Sequence, residues 1–142
     1  MSKSIHLSLR ADERLFINGA VIKADRRVSI ELMNDATYLL ESQVLQPKDT
    51  TTPLRQLYFV VQTMLMDPRH VEAARQMFEI SYTSLMLAFS NKQILAALLS
   101  VRGLVEKGSV LEALTTLRGL FALEDQILGN TSDAPVRLLE AV

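Results

Sequence analysis

The chain contains no cysteine, only five glycines and only two histidines. The absence of cysteine excludes disulfides, thiolate metal sites and cysteine nucleophiles. Each glycine stands alone, so the chain has no glycine-rich phosphate-binding loop. His6 and His70 are far apart in sequence, and neither has neighbours at metal-ligand spacing. Because no group of residues meets the geometric requirements of an active site, we expect no enzyme activity, no metal and no cofactor.

Long apolar runs are also absent. Polar residues such as Gln62 and Arg102 interrupt the apolar stretches well short of the roughly 20 residues that a membrane-spanning helix needs. Residues 1–4 lead into alternating residues rather than the apolar core of a signal peptide. We therefore expect a soluble, cytoplasmic protein with no membrane partner.

Strong net charge is lacking, since the whole chain carries −1. The charge is uneven, however: residues 1–32 hold six bases against four acids, a net of +2, and the remainder carries −3. The N-terminal end is therefore the part of the chain that could meet phosphate.

The N-terminal residues have the patterns of antiparallel strands. Residues 5–10 alternate apolar and polar, which is the period of a half-buried strand. Asn18-Gly19 joins two short apolar runs and is a strong hairpin signal, because a type I′ turn needs positive φ at both central residues. Residues 28–32 alternate again. Residues 36–45 fit either a helix capped by Asn34 or a strand over residues 37–45, and we favour the strand.

A central helix is predicted over residues 53–66. Thr52 suits the N-cap and Pro53 the first helical position, while Asp67-Pro68 ends the helix. Residues 68–130 have helical periodicity throughout, and Ser90 with Gln93 matches a capping box. The predicted fold is α+β: a small antiparallel β module at residues 1–46, a bundle of three to four helices at 52–130, and a polar tail at 131–142.

Basic residues at strand ends and turns are the best candidates for nucleic-acid contact, because long cationic side chains there can reach a phosphate backbone. They are Arg10, Arg14, Lys23, Arg26 and Arg27. The alternative for each is an ordinary solvated turn. Phe16 is the only aromatic ring before Tyr38 and is expected in the core, so a base-stacking platform is not predicted.

The helical part offers candidates for a protein partner. Arg55 and Gln56 either hold the β module against the bundle or form a partner surface. Methionines, among them Met77, are expected to fill the core. Since 49% of the chain is hydrophobic, an apolar helix face left uncovered would indicate a binding surface.

Three stretches carry a family resemblance: residues 16–20 (FINGA), residues 39–42 (LLES) and residues 52–68, which begin TPLRQLYFVVQT. With them, the chain from about Leu7 to Leu128 resembles the FlbT family of flagellum-biosynthesis regulators from alphaproteobacteria. The resemblance implies post-transcriptional control of flagellin through association with the 5′ untranslated region of flagellin mRNA.

The resemblance also implies partners. They are the flagellin mRNA leader and either FlaF or flagellin. The helical part is expected either to form a homodimer or to recruit such a partner. The alternative is a protein-binding helical module that acts like a flagellin chaperone and affects the message indirectly. Whether the regulation is repression or activation stays open.

A shorter stretch resembles the CsrA class of β-strand mRNA-binding dimers. It comprises Leu7, Leu9-Arg10 and Glu13, then residues 16–19, then residues 28–32. By that analogy Leu9-Arg10 and Arg26-Arg27 would face RNA. Much of this pattern is common to hairpins in general.

Overall fold

The computed structural model describes residues 4–34 and 36–130. Five strands precede five α-helices: β1 Ile5–Leu9, β2 Arg14–Ile17, β3 Ala20–Lys23, β4 Val28–Leu32, β5 Tyr38–Leu40, α1 Pro53–Met66, α2 Val71–Ala88, α3 Lys92–Glu106, α4 Val110–Arg118 and α5 Phe121–Asn130. The predicted α+β class is confirmed. The predicted polar tail lies outside the described residues.

The strands form two small antiparallel sheets. In the first, β1 pairs with β4, so that Leu9 lies opposite Val28. In the second, β2 lies between β3 and β5. Asn18 and Gly19 join β2 to β3 with φ of 49° and 84°, as the predicted type I′ turn requires.

The two sheets enclose a small apolar core of their own. Leu7 and Leu9 of β1 are buried against Leu15 of β2, and Ile17 and Tyr38 pack around them. These side chains point to one side because side chains alternate between the two faces of a strand. The period-two pattern in residues 5–10 therefore marks the face of β1 that meets the second sheet.

The other face of the second sheet packs on the helices. Phe16 of β2 and Leu39 of β5 join the main core, which includes Leu57, Tyr58 and Val61 of α1. Strands β2 and β5 are thus covered on both faces, by the first sheet and by the helical layer, whereas all four residues of the edge strand β3 are exposed. The burial of β2 and β5 between two layers fixes these strands relative to α1.

The signals that predicted α1 are confirmed. Thr52 is the N-cap, and its Oγ1 accepts a hydrogen bond from the N–H of Arg55 at 3.3 Å. Pro53 takes the first helical position, and α1 ends before Asp67. In the described parts of the chain, no helix combines the length and the apolarity needed to cross a membrane.

Three local predictions need correction. The strand expected over residues 37–45 covers only Tyr38–Leu40, because a 3₁₀ turn follows in which Gln43 Oε1 accepts the Leu40 N–H at 2.9 Å. Asn91, not Ser90, caps α3: its Oδ1 accepts the Ile94 N–H at 3.1 Å. The helical periodicity read through residues 68–130 is interrupted at Gly119 and Leu120, where a turn separates α4 from α5.

Candidate nucleic-acid interface

The strand pairing brings all five predicted RNA-binding residues to one end of the β sheets. Arg14 lies opposite Lys23 at the end of the β2–β3 ladder. Arg10 follows the last residue of β1, and Arg26 and Arg27 precede the first residue of β4, its partner strand. We call this set, Arg10, Arg14, Lys23, Arg26 and Arg27, the cationic end.

Backbone hydrogen bonds hold the turns of the cationic end together. The N–H of Asp12 donates to the carbonyl of Ala24 at 2.6 Å, and the N–H of Ala24 donates to the carbonyl of Glu13 at 3.0 Å. These two bonds connect the β1–β2 turn to the residue after β3. The turns that carry the cations are therefore fixed to one another.

Carboxylates are interspersed among the cations. Glu13 Oε1 accepts the backbone N–H of Arg10, and Glu41 Oε1 accepts that of Arg14, both at 2.8 Å. Arg10, Glu13 and Glu41 also border an open cleft of about 470 Å³. With Asp12 and Asp25, four carboxylates face five cations, so the local excess is one positive charge.

The ion pairs at the cationic end are loose. Lys23 Nζ lies 3.7 Å from Asp12, and Arg26 Nε lies 3.8 Å from Asp25, with all four side chains more than half exposed. Within residues 4–34 and 36–130, no salt bridge engages Arg10, Arg14 or Arg27. Because solvent-exposed ion pairs contribute little free energy, a phosphate could replace these carboxylates at small cost.

Two predictions concern base stacking by Phe16 and the CsrA analogy at Leu9. Phe16 belongs to the core, as predicted, so it is not available for base stacking. Leu9 is only 2% exposed, and the CsrA analogy is therefore wrong for its side chain, because the inter-sheet core needs that residue. Any contact with RNA at the cationic end would depend on guanidinium and ammonium groups.

Arg55 connects α1 to α5. Its guanidinium donates to both carboxylate oxygens of Asp125, at 2.8 and 3.1 Å, and lies over the ring of Phe121 at 4.5 Å. Gln56 donates to the carbonyl of Thr50 at 3.4 Å. Arg55 thus binds two helices together rather than the β module to the bundle. The partner role predicted for Arg55 and Gln56 stays a prediction.

Glu124 is a buried carboxylate that sequence reasoning did not single out. It accepts the hydroxyl of Thr52 at 2.5 Å and the N–H of Leu54 at 2.8 Å, and Arg55 lies 3.5 Å away. Burial raises the pKa of Glu124, while the bonds from Thr52 and Leu54 and the charge of Arg55 act in the opposite direction. The sequence offered one signal. Glu124 comes directly before Asp125, and neighbouring helix positions point in different directions, so the two carboxylates cannot share one environment.

The described residues contain no cluster of three or more histidine, aspartate or glutamate side chains able to hold a metal ion. Glu124 and Asp125 both accept hydrogen bonds that join α5 to the start of α1. The cationic end is thus a surface with exposed cations on sheets that a packed helical layer supports.

Comparison with known proteins identifies the family. The sequence profile of a family described as "Flagellar protein FlbT" matches residues 5–128, which is most of the chain. The chain belongs to the FlbT family. The resemblance found in the sequence is therefore confirmed.

Relatives in this family bear the name "Probable flagellum biosynthesis repressor protein FlbT". The one from Rhizobium etli is 46% identical over 142 residues, covering 100% of this chain and 95% of the relative. The one from Agrobacterium fabrum is 44% identical over 138 residues, covering 97% and 93%. The one from Brucella ovis is 53% identical over 126 residues, covering 89% and 83%. No solved structure matches the chain.

Proposed function

We propose that this chain represses flagellum biosynthesis by binding the 5′ untranslated region of flagellin mRNA through its cationic end. Family membership supports the flagellar role, since the relatives are named as probable repressors of flagellum biosynthesis. The RNA contact is inferred from one observation: the ends of four strands bring five cations together at one end of the sheets. Binding there would control translation or stability of the message.

The form of the cationic end suits a flexible single strand. Its cations lie in or beside two turns, residues 10–13 and 24–27, that are joined by backbone hydrogen bonds, so their spacing is set before RNA arrives. Sequence-specific RNA recognition usually involves single-stranded loops, which arginine can contact by stacking its guanidinium plane on bases and by pairing with phosphates. The interspersed carboxylates would repel phosphate at some positions and so restrict the path of the strand.

A titration of the purified protein with a flagellin leader transcript tests this proposal. A transcript of equal length and shuffled sequence is the control. If all five cations contact phosphates of a single strand, affinity should fall about 100-fold between roughly 50 and 200 mM salt. Equal binding to both transcripts, or no binding at the lower salt, would contradict the proposal.

The second candidate function is a protein-binding helical module that acts on flagellin expression indirectly, through flagellin or FlaF. The observation that favours it is an apolar groove between α1 and α2, lined by Phe59, Val60 and Met77. Tight binding of purified flagellin or FlaF by a protein that ignores the leader transcript would support this second function.

A further inference from the structure

Helix α2 carries a second apolar stripe on the side away from its buried face. Its buried face consists of Ala74, Phe78, Tyr82 and Leu85. The second stripe, which we call the outer stripe, consists of exposed residues spaced alternately four and three apart: Ala73, Met77, Ile80, Ser84 and Leu87. This spacing is that of the contact seam of two packed helices.

The large side chains of the outer stripe are strongly exposed. Met77 is 54% exposed, Ile80 66% and Leu87 84%. The expectation that Met77 fills the core is therefore wrong, because the α2 positions facing α1 are taken by Ala74 and Phe78. Scattered exposed apolar residues are normal, but three large ones on one seam form a continuous surface.

One end of the outer stripe opens into a groove of about 310 Å³ between α1 and α2. Phe59, Val60 and Thr63 of α1 form one wall, and Ala73 and Met77 of α2 form the other. The opposite end of the stripe carries Leu87, the most exposed of its large side chains. Along α2, Met77 at the groove and the projecting side chain of Leu87 are therefore ten residues apart.

We propose that the outer stripe is the interface of a homodimer, in which α2 of one copy packs antiparallel on α2 of a second copy. With the twofold axis level with Tyr82, Leu87 of each copy lies beside Met77 of the other, at the mouth of the α1–α2 groove. Ile80 then lies opposite the small residue Ser84. The fit is reciprocal, as a twofold interface requires, because one surface supplies both the projection and the groove.

The distribution of charge favours a second copy of this chain. The seam itself is uncharged, and so are its flanking positions Gln76 and Thr83. Of the charged residues in α2, Glu79 is directed to Arg102 of α3, with the oxygen and nitrogen 3.3 Å apart. Two copies therefore meet without like charges facing one another, and depletion of charge is typical of the buried centre of an interface.

The first test is the molar mass of the full chain in solution, measured by light scattering over a range of protein concentrations. We expect dimers that dissociate on dilution, because an interface of two short helix faces is small. Leu87→Asp should raise the dissociation constant at least about tenfold, because it places a charge where a large apolar side chain would be buried in both halves of the interface. Leu99→Asp is the matched control, since Leu99 is 58% exposed on α3 and lies outside the outer stripe.

The second test uses the natural lack of cysteine. The double variant Met77→Cys and Leu87→Cys should form a disulfide-linked dimer under mild oxidation, because position 77 of each copy lies beside position 87 of the other. Leu87→Cys alone should not, since the two Leu87 positions lie about 15 Å apart along the helices, beyond the reach of a disulfide. Circular dichroism of each variant checks that the helices are retained.

Three results would overturn the proposal. One is a monomer at every concentration, in which case the outer stripe serves another protein. Another is a dimer that Leu87→Asp leaves intact, which would place the interface elsewhere. The third is efficient cross-linking of Leu87→Cys alone, or none of the double variant, which would exclude the antiparallel arrangement.

Discussion

The carboxylate of Glu124, in α5, accepts the backbone N–H of Leu54 and so closes the N-terminal end of α1. This N–H is one of the donors that a helix leaves unpaired at its first turn. The same carboxylate accepts the hydroxyl of Thr52, the N-cap residue. A residue 70 positions away in sequence thus completes the start of the central helix and attaches the last described helix to it.

Replacing Glu124 by alanine should strongly destabilise the fold. The change leaves the Thr52 hydroxyl and the Leu54 N–H without their acceptor, and each buried donor left unsatisfied costs about 1–3 kcal/mol. Denaturant unfolding measures the loss. Asp125→Ala is the control, because Asp125 is 54% exposed and an exposed ion pair contributes at most about 1 kcal/mol. An equal loss in the two variants would contradict this role for Glu124.

The stability of the fold should depend on pH through Glu124 in an unusual direction. Burial raises the pKa of Glu124 in the folded state, so the folded chain holds this proton more tightly than the unfolded chain does. The stability that this group contributes is fully present below its unfolded pKa and is lost as pH rises through its folded pKa. Glu124→Gln should remove that fall when unfolding free energy is measured across the acidic range.

Asp67 supplies the opposite case in the same measurement. The hydrogen bond from His70, at 2.7 Å, lowers the pKa of Asp67. Its contribution is present above the unfolded pKa and is lost as pH falls through the folded pKa. Asp67→Asn should therefore lose less stability on acidification than the parent chain. Identical pH profiles for both variants and the parent would refute both assignments.

Gly19 should not tolerate a side chain. Its φ is +84°, and a Cβ there would lie 3.2 Å from Cδ of Pro68, where the β2–β3 turn meets the corner between α1 and α2. Gly19→Ala should lower the thermal midpoint, with a cost of about 1 kcal/mol or more from the left-handed conformation alone. Gly103→Ala is the matched control: it lies within α3 with open space around it and should gain about 0.5–1 kcal/mol. Equal midpoints for the two variants would rule out this account of the turn.

The hydroxyl of Tyr58, and not only its ring, should contribute to the stability of the fold. It donates to the carbonyl of Gln43 at 2.6 Å and accepts from Arg118 at 2.8 Å, and so connects the residues after β5 to α1 and α4. Tyr58→Phe should cost about 1–3 kcal/mol, because the Arg118 bond is charge-assisted and the carbonyl loses its donor. Tyr82→Phe provides the comparison, since no hydrogen bond is formed by the Tyr82 hydroxyl among the described residues. A larger loss for Tyr82→Phe would contradict this assignment.

Local signals in the sequence predicted much of the fold. Asn18-Gly19 fixed the hairpin, Thr52 and Pro53 fixed the start of α1, and alternation located the inner face of β1. Each of these depends on residues close in sequence. The contact between Glu124 and the start of α1 could not be predicted in this way, because it joins residues about 70 positions apart.

The candidate interface was predictable in part. Strand ends and turns indicated where Arg10, Arg14, Lys23, Arg26 and Arg27 belong, but only the pairing of β1 with β4 places Arg10 close to the start of β4. The carboxylate of Glu41 enters this end from beyond β5, which no local pattern indicates. The outer stripe of α2 was missed because apolar periodicity cannot tell which of two apolar faces is covered.

The most direct test of the central claim is the salt dependence of binding to the flagellin leader transcript, for the parent chain and for Arg26→Ala with Arg27→Ala. If both residues contact phosphates of a single strand, the slope of log affinity against log salt should become shallower by about 1.4. Lys92→Ala with Lys107→Ala, at exposed positions at the two ends of α3, should leave the slope unchanged. An unchanged slope in the arginine variant, or the same change in both, would contradict RNA binding at the cationic end.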